Sequence, residues 1–85
     1  MSLSLVAVGD RLSLEFEVTD LDAVQSYIQD HYAGVRSKAA GIVTIVTIKG
    51  EPFTFQNEWD DPCLISGSAK GDELLRAIHA HFAES

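Results

Sequence analysis

The segment RLSLEFEV, residues 11–18, alternates apolar and polar side chains without a break. In a β-strand successive side chains point to opposite faces, so this period of two predicts a half-buried strand with one solvated face. A sheet built from such strands needs a cover over its apolar side, and this need limits what the chain can fold into. The predicted apolar set is Leu12, Leu14, Phe16 and Val18.

Four further segments have strand character. Leu3–Val8 precedes the alternating segment across Gly9-Asp10, a two-residue connection typical of a type II′ hairpin. Ile42–Lys49 is β-branched almost throughout and has apolar or threonine side chains on both faces, which predicts a central strand. Strands are also predicted at Pro52–Trp59 and Cys63–Ser66.

Two segments carry apolar residues at helical spacing and supply the cover. Thr19–Gly34 predicts a helix that Thr19 or Asp20 caps and Gly34 ends, and a second helix is predicted from about Ser68 to Ala83. The segment VRSKAAG, residues 35–41, is predicted to be a polar connection. The stripes are Leu21, Val24, Ile28 and Tyr32 in the first helix, and Leu74, Leu75, Ile78 and Phe82 in the second.

The element order β-β-α-β-β-β-α predicts a single α+β domain over residues 1–85. We expect a two-layer sandwich with a mostly antiparallel sheet of about five strands and both helices on one face. Leu14 and Ile78 should be core residues on facing layers. The second and third strands, joined through the first helix, would be parallel if they were neighbours.

Charge and composition narrow the classes of partner. The chain has 6 basic and 13 acidic side chains, a net charge of −7, and its basic residues are scattered, so no nucleic-acid partner is expected. The apolar runs fall far short of the roughly 18 residues of a membrane span, and the start lacks the basic segment of a signal peptide, so no membrane partner is expected. The single cysteine, Cys63, cannot form an internal disulfide, which fits the cytoplasm.

The segment NEWDDP, residues 57–62, combines the only tryptophan with acidic side chains. Alternation places Trp59 on the face of Phe53 and Phe55, where it would pack in the core. If it is partly exposed, Trp59 with Glu58, Asp60 and Asp61 forms a candidate protein-binding site, because tryptophan is enriched at interface hot spots. The acids do not have the spacing of a calcium loop, and Asp60-Asp61-Pro62 predicts a turn.

The segment SGSAKG, residues 66–71, lies where a strand hands over to a helix, a position that suits phosphate. The spacing of its glycines does not match a P-loop, and Asp72 and Glu73 follow directly. We therefore predict that Ser68 caps the second helix and that the loop binds no phosphate.

No set of residues predicts catalysis or a cofactor. Cys63 has no local partner typical of a nucleophile, and His79 and His81 project about 200° apart on a helix, so they do not share a metal simply. The chain is therefore predicted to be no enzyme and to have no cofactor.

The leading hypothesis for function is a small protein that binds another protein, possibly itself as a homodimer. An exposed apolar patch usually marks an interface. If the helices cover one face of the sheet, the other face carries either Val43 and Ile45 or Ile42, Val46 and Ile48. The alternative is an acidic inhibitor or immunity-like protein that occupies a basic active site or nucleic-acid groove. An enzyme or a small-ligand binder ranks third and would require a concave pocket with a few convergent polar groups.

Overall fold

The computed structural model describes residues 3–58 and 61–83, with Glu58 and Asp61 as backbone only. These residues form one six-stranded sheet and two α-helices. A short 3-10 turn, Val18–Asp20, leads into the first helix. The bounds are β1 (Ser4–Val8), β2 (Arg11–Glu15), α1 (Leu21–His31), β3 (Arg36–Ala40), β4 (Val43–Ile48), β5 (Glu51–Glu58), β6 (Asp61–Ser66) and α2 (Ala69–Ala83).

The strand order across the sheet is β1-β2-β6-β5-β4-β3, and every neighbouring pair is antiparallel. The α+β class is confirmed, with six strands rather than about five. The strands that flank α1, β2 and β3, are not neighbours, so no parallel pair forms. The chain crosses through α1 to the far edge and then returns by a meander until β6 pairs with β2.

The additional strand is β3, which the sequence pattern assigned to a polar connection. All five of its residues, Arg36–Ala40, are exposed, and it pairs with β4 alone. An edge strand of this kind is held by its backbone ladder instead of by burial, so its sequence carries no alternating pattern. Lys38 on such an edge discourages pairing with a further strand.

The second strand ends three residues earlier than the alternation predicts. Phe16 is still buried, and its N–H donates to the carbonyl oxygen of Pro62 at 3.2 Å. Val18 instead begins the 3-10 turn and is 49% exposed, so its predicted place in the core is wrong. The helix accordingly starts at Leu21, and Asp20 occupies the N-cap position without a capping hydrogen bond from its side chain.

One predicted turn is confirmed by the structure, and a second is partly wrong. Gly9 adopts φ +59° between β1 and β2, and this positive value confirms the two-residue hairpin. The turn predicted at Asp60-Asp61-Pro62 is wrong for the last two residues, because β6 begins at Asp61. Pro62 pairs with Asn57 inside the ladder. A proline there removes one backbone donor, and the strand continues past it to Ser66.

The core lies between the sheet and the two helices. Leu14, Leu64 and Phe55 follow one another across β2, β6 and β5, and they point toward the helices. Leu14 and Ile78 are both 0% exposed and contact the same cluster, which confirms their prediction as facing core residues. The buried apolar residues are Leu14, Phe16, Val24, Ile28, Ile48, Phe53, Leu64, Leu75 and Ile78.

Two buried serines lie on opposite faces of the sheet. Ser66, on the helix side, donates from Oγ to the carbonyl oxygen of Ser68 at 2.7 Å and accepts from the Ser68 N–H at 3.2 Å. Ser13, on the other side, is 1% exposed, and its Oγ has no hydrogen-bond partner among the described residues. A buried hydroxyl without a partner destabilises the folded state, whereas a satisfied one stabilises it.

The two serines should therefore respond in opposite directions to the same substitution. We expect Ser13→Ala to leave the free energy of unfolding unchanged or raise it by up to about 1 kcal/mol, and Ser66→Ala to lower it by about 1–3 kcal/mol. Urea unfolding followed by circular dichroism measures both. An equal loss in the two variants would show that Ser13 Oγ has a partner in the native state.

Candidate functional site

The face of the sheet turned away from both helices, here called the open face, is covered by neither of them. The cross-strand register Val6–Ser13–Ile65–Thr54–Ile45 runs through its middle. Of the two sets of β4 residues that could lie on this face, the structure places Val43 and Ile45 there, because Ile48 is buried toward the helices. Val6 and Val8 are 37% and 46% exposed.

The ends of the open face carry opposite charges. Lys38 lies on β3, opposite Ile45 in the register, and so marks one edge. Glu15 lies on the same face near the opposite edge, on β2, where it pairs with Cys63. Between them the face is uncharged along the two central strands, from Thr54 to Gln56 and from Cys63 to Ile65.

The predicted contact site at Trp59 falls mostly outside the described residues. Glu58 and Asp61 form the last backbone pair of the β5–β6 ladder. Trp59 and Asp60 lie outside the described ranges, as do the side chains of Glu58 and Asp61. The site therefore stays a prediction, located at one end of the two central strands.

The sheet separates Cys63 from the histidines of the last helix. The Cys63 side chain lies on the open face, where its Sγ is 3.9 Å from Oε1 of Gln56. His79 belongs to α2 on the other face, and its Nε2 is 3.3 Å from the carbonyl oxygen of Leu3. The geometry gives no cysteine–histidine pair for nucleophilic chemistry in the described part of the chain.

The structure brings together two histidines that lie 50 positions apart in the sequence. The ring of Tyr27 stacks on His31 and on His81, each at a centroid distance of 4.0 Å. The two imidazole rings are 5.8 Å apart, and Phe82 meets Tyr27 edge-on. Within the described ranges no group of three metal-ligating side chains forms, so this cluster joins the two helices by ring packing.

The loop that leads into α2 is closed by its own hydrogen bonds. The N–H of Gly71 donates to Ser68 Oγ at 3.0 Å, which confirms Ser68 as the cap, and the Ser68 hydroxyl donates to Glu51 at 2.6 Å. The N–H of Gly67 donates to the Pro52 carbonyl oxygen at 3.0 Å. These amides already have partners, so they are not available to a phosphate.

Asp72 links the start of α2 to the first hairpin. Its Oδ1 accepts from the Leu12 N–H at 3.0 Å, and its Oδ2 pairs with Arg11 at 3.2 Å. Burial acts to raise the pKa of Asp72, but hydrogen bonds from Leu12 and Ser66 and the charges of Arg11 and Arg76 outweigh it and lower the pKa. The carboxylate is thus held ionised between two elements 60 residues apart in sequence.

A concave site lies between α1 and the strands at the β3 side of the sheet, here called the α1 cleft. Its volume is about 300 Å³, and its floor is core. Two of the strand residues that line it, Ser37 on β3 and Thr44 on β4, have small side chains. Its apolar wall includes Phe16, Val24, Ile28, Val46, Phe55 and Leu64.

The polar lining of the α1 cleft comes from both layers. Gln25 and Gln29 lie four residues apart on α1, and Ser37 and Thr44 lie on β3 and β4. Arg36, the first residue of the edge strand β3, borders the cleft, but its register with Thr47 places its side chain on the open face, as for Lys38. The sequence did not reveal this site, because it depends on strand β3 and on the crossing of α1 over it.

Comparison with known proteins adds no functional information. No protein-family model, no curated protein and no solved structure matches the chain. Neither helix in the described ranges is long and apolar enough to cross a membrane.

The closed loop before α2 predicts a clear result with phosphate. Inorganic phosphate and nucleotides should leave the melting temperature unchanged, because a ligand raises it only by binding the folded state. Ser68→Ala should lower the free energy of unfolding by about 1 kcal/mol through loss of the cap, and Lys70→Ala should change it by less than about 0.5 kcal/mol. A thermal-shift assay tests all three, and a rise in melting temperature that depends on Lys70 would contradict the structural role of the loop.

The lowered pKa of Asp72 predicts a pH dependence of stability. Its stabilising effect should be complete above the unfolded-state pKa of about 3.9 and should disappear as the pH falls through the lower folded-state value. Asp72→Asn should therefore destabilise the protein at pH 7, and the difference from wild type should shrink in strong acid. Urea unfolding from neutral to acid pH measures this, with Asp22→Asn, an exposed acid in the first turn of α1, as the control. A pH-independent difference would show that Asp72 acts without its charge.

Proposed function

We propose that this chain is a non-enzymatic, self-associating protein module of the cytoplasm, and that two copies dock through the open face. The observation that carries the proposal is an apolar band on the side of the sheet that neither helix covers, in which Val6 is exposed and Ile65 and Ile45 are half-buried. Apolar patches of this kind on small proteins commonly mark interfaces. The single cysteine supports the cytoplasm as the location.

The size of the open face suits a second copy of the chain. The molecule measures 31 × 28 × 26 Å, so a whole face presents roughly 700 Å², close to the 800 Å² or so that each partner buries in a standard interface. A partner must therefore cover the entire face. A second identical sheet does so by face-to-face packing, in which two sheets lie about 10 Å apart.

The charges on the open face are complementary to those of a second copy in one orientation. A two-fold axis parallel to the strands lays β3 of one copy over the β1–β2 side of the other. Lys38 of each copy then lies over the part of the partner's sheet that carries Glu15. A two-fold axis across the strands would instead bring like charges together at both edges, which is unfavourable.

The acidic segment around Trp59 remains a proposed second element of contact. Glu58 and Asp61 lie where the two central strands of the open face end and begin. The alternative function, an acidic inhibitor of a basic partner, would use this segment and the net charge of −7 instead of the apolar band. Its association would be strongly salt-dependent, because screening weakens charge steering.

The first test is the association state and its dependence on the centre of the open face. We expect the wild type to be dimeric at micromolar concentration in sedimentation equilibrium. Ile65→Arg should weaken the dimer at least tenfold, about 1.4 kcal/mol, because it buries a charge in an apolar interface. Circular dichroism confirms that the variant is folded. A wild type that stays monomeric at about 100 μM would overturn the proposal. Its dimerisation free energy would then be weaker than about 5 kcal/mol.

A charge swap tests the orientation. Lys38→Glu and Glu15→Lys should each weaken the homodimer several-fold, since exposed pairs contribute about 0.2–1 kcal/mol each and occur twice by symmetry. A mixture of the two variants should form a heterodimer more stable than either homodimer. Lys70→Glu, with the same charge change on α2, is the matched control and should associate like wild type. A mixture that shows no preference for the heterodimer would reject the axis parallel to the strands.

A further inference from the structure

We propose that the free edge of β1 pairs antiparallel with the same edge of a second copy of the chain, so that two six-stranded sheets join into one. Strand β1 lies at the end of the sheet, and among the strands that the structure describes it pairs with β2 alone. The backbone of one strand makes this contact, whereas side chains on the surface of the sheet make the contact proposed for the open face. The inference therefore does not rest on the open face.

The backbone groups that point toward the free edge belong to Leu5 and Ala7. In an antiparallel pair, opposite residues that exchange no hydrogen bonds turn their N–H and C=O groups away from each other. Leu12 of β2 turns away from β1, because its N–H donates to Asp72 Oδ1 at 3.0 Å. Ala7 is the partner of Leu12 in the register, so the N–H and C=O of Ala7 point away from β2, as do those of Leu5 two residues along.

One end of the edge is already closed within the chain. Leu3 follows the same alternation as Leu5, and its carbonyl oxygen lies 3.3 Å from Nε2 of His79 on α2. A carbonyl oxygen only accepts, so the imidazole is the donor. This contact limits the open part of the edge to Ser4–Val8 and makes Val6 its centre.

The open part of the edge lacks the features that keep edge strands apart. Its sequence, SLVAV, contains no charged residue and no proline, and its register with β2 runs from Ser4 to Val8 without a bulge. The opposite edge, β3, instead carries Arg36 and Lys38. Charges, prolines and bulges protect an edge, because its unpaired backbone groups are a template for a further strand. The contrast between the two edges indicates that β1 is the edge that pairs.

The side chains of β1 suit a second copy of the same strand. With a two-fold axis through Val6, Leu5 of each copy lies opposite Ala7 of the other, so a large side chain meets a small one. Each copy then donates and accepts backbone hydrogen bonds at both of these positions. Val6, which is 37% exposed, faces its own counterpart, and Ser4 faces Val8, so no like charges are opposed. Two-fold pairing is also the commonest symmetry of homodimers.

Cysteine cross-linking tests this register. Val6→Cys in a Cys63→Ser background should form a disulfide-linked dimer with oxidised glutathione, because the two Val6 positions form a pair with Cα atoms about 4.5 Å apart, within reach of a disulfide. In the open-face dimer proposed above, the two Val6 positions lie at opposite edges of the stacked sheets, so that dimer does not produce this cross-link.

Val8→Cys in the same background is the matched control. Val8 is more exposed than Val6, at 46%, but it lies opposite Ser4 of the second copy, so the two Val8 positions are roughly 14 Å apart. Val6→Cys should therefore cross-link about tenfold faster than Val8→Cys. Equal rates in the two variants, or no cross-link in either, would overturn the pairing of β1 edges.

Substitutions at Ala7 disturb the edge and leave the open face intact. Ala7→Lys, at an exposed position, should slow the cross-linking of the Val6→Cys protein by about fivefold, because a charge on the edge opposes pairing. Ala7→Pro, which removes only the outward N–H, should do the same if the lysine variant fails to fold. Ala77→Lys, with the same change at an exposed position of α2, is the control and should cross-link like its parent.

The Ile65→Arg variant separates this proposal from the open-face dimer. Cross-linking of the Val6→Cys protein should persist when Ile65→Arg is added, whether or not that substitution changes the association state in sedimentation. Loss of the cross-link together with the open-face contact would overturn the edge as a separate interface. An unchanged rate in both folded Ala7 variants would overturn it as well.

Discussion

The fold depends on the covering of one apolar sheet face by two helices. Leu14, Leu64 and Phe53 on the strands meet Leu75 and Ile78 on α2, and all five are at most 3% exposed. A chain of 85 residues has enough apolar surface for one such layer and too little for a second. The open face is the side of the sheet that neither helix covers.

The joint between β6 and α2 fixes that helix on the sheet. Ser68 caps the helix, and Asp72 connects its first turn to Leu12 on β2. Gly71 between them has no room for a side chain, since a Cβ there would come within 2.5 Å of Ser66 Oγ and 3.3 Å of the Phe53 ring. A glycine weakens a helix in general, but at this position it lets the helix approach the strand. The resemblance of this loop to an anion site thus arises from the requirements of capping and close packing.

The open face and the α1 cleft arise from different deficits of the same small core. On the open face the deficit is a missing layer, and a second copy would supply it. At the α1 cleft the deficit is one of side-chain volume, because Ser37 and Thr44 leave space that α1 alone does not fill. The open face and the cleft lie on opposite sides of the sheet.

The sequence by itself determined the features that depend on local environment. Alternation along β2 located Leu14, the helical stripe located Ile78, and the capping pattern located Ser68, because burial and hydrogen bonding repeat with the period of the element. The tertiary structure alone decided the strand order, the extra strand β3 and the exposure of Val18. It also decided the contact of Asp72 with Leu12 and the α1 cleft. These features form between segments that are far apart in the chain. An edge strand such as β3 is stabilised by its partner's backbone, which leaves no periodic pattern in its own side chains. A cleft depends on which residues of the sheet come to lie opposite the helix.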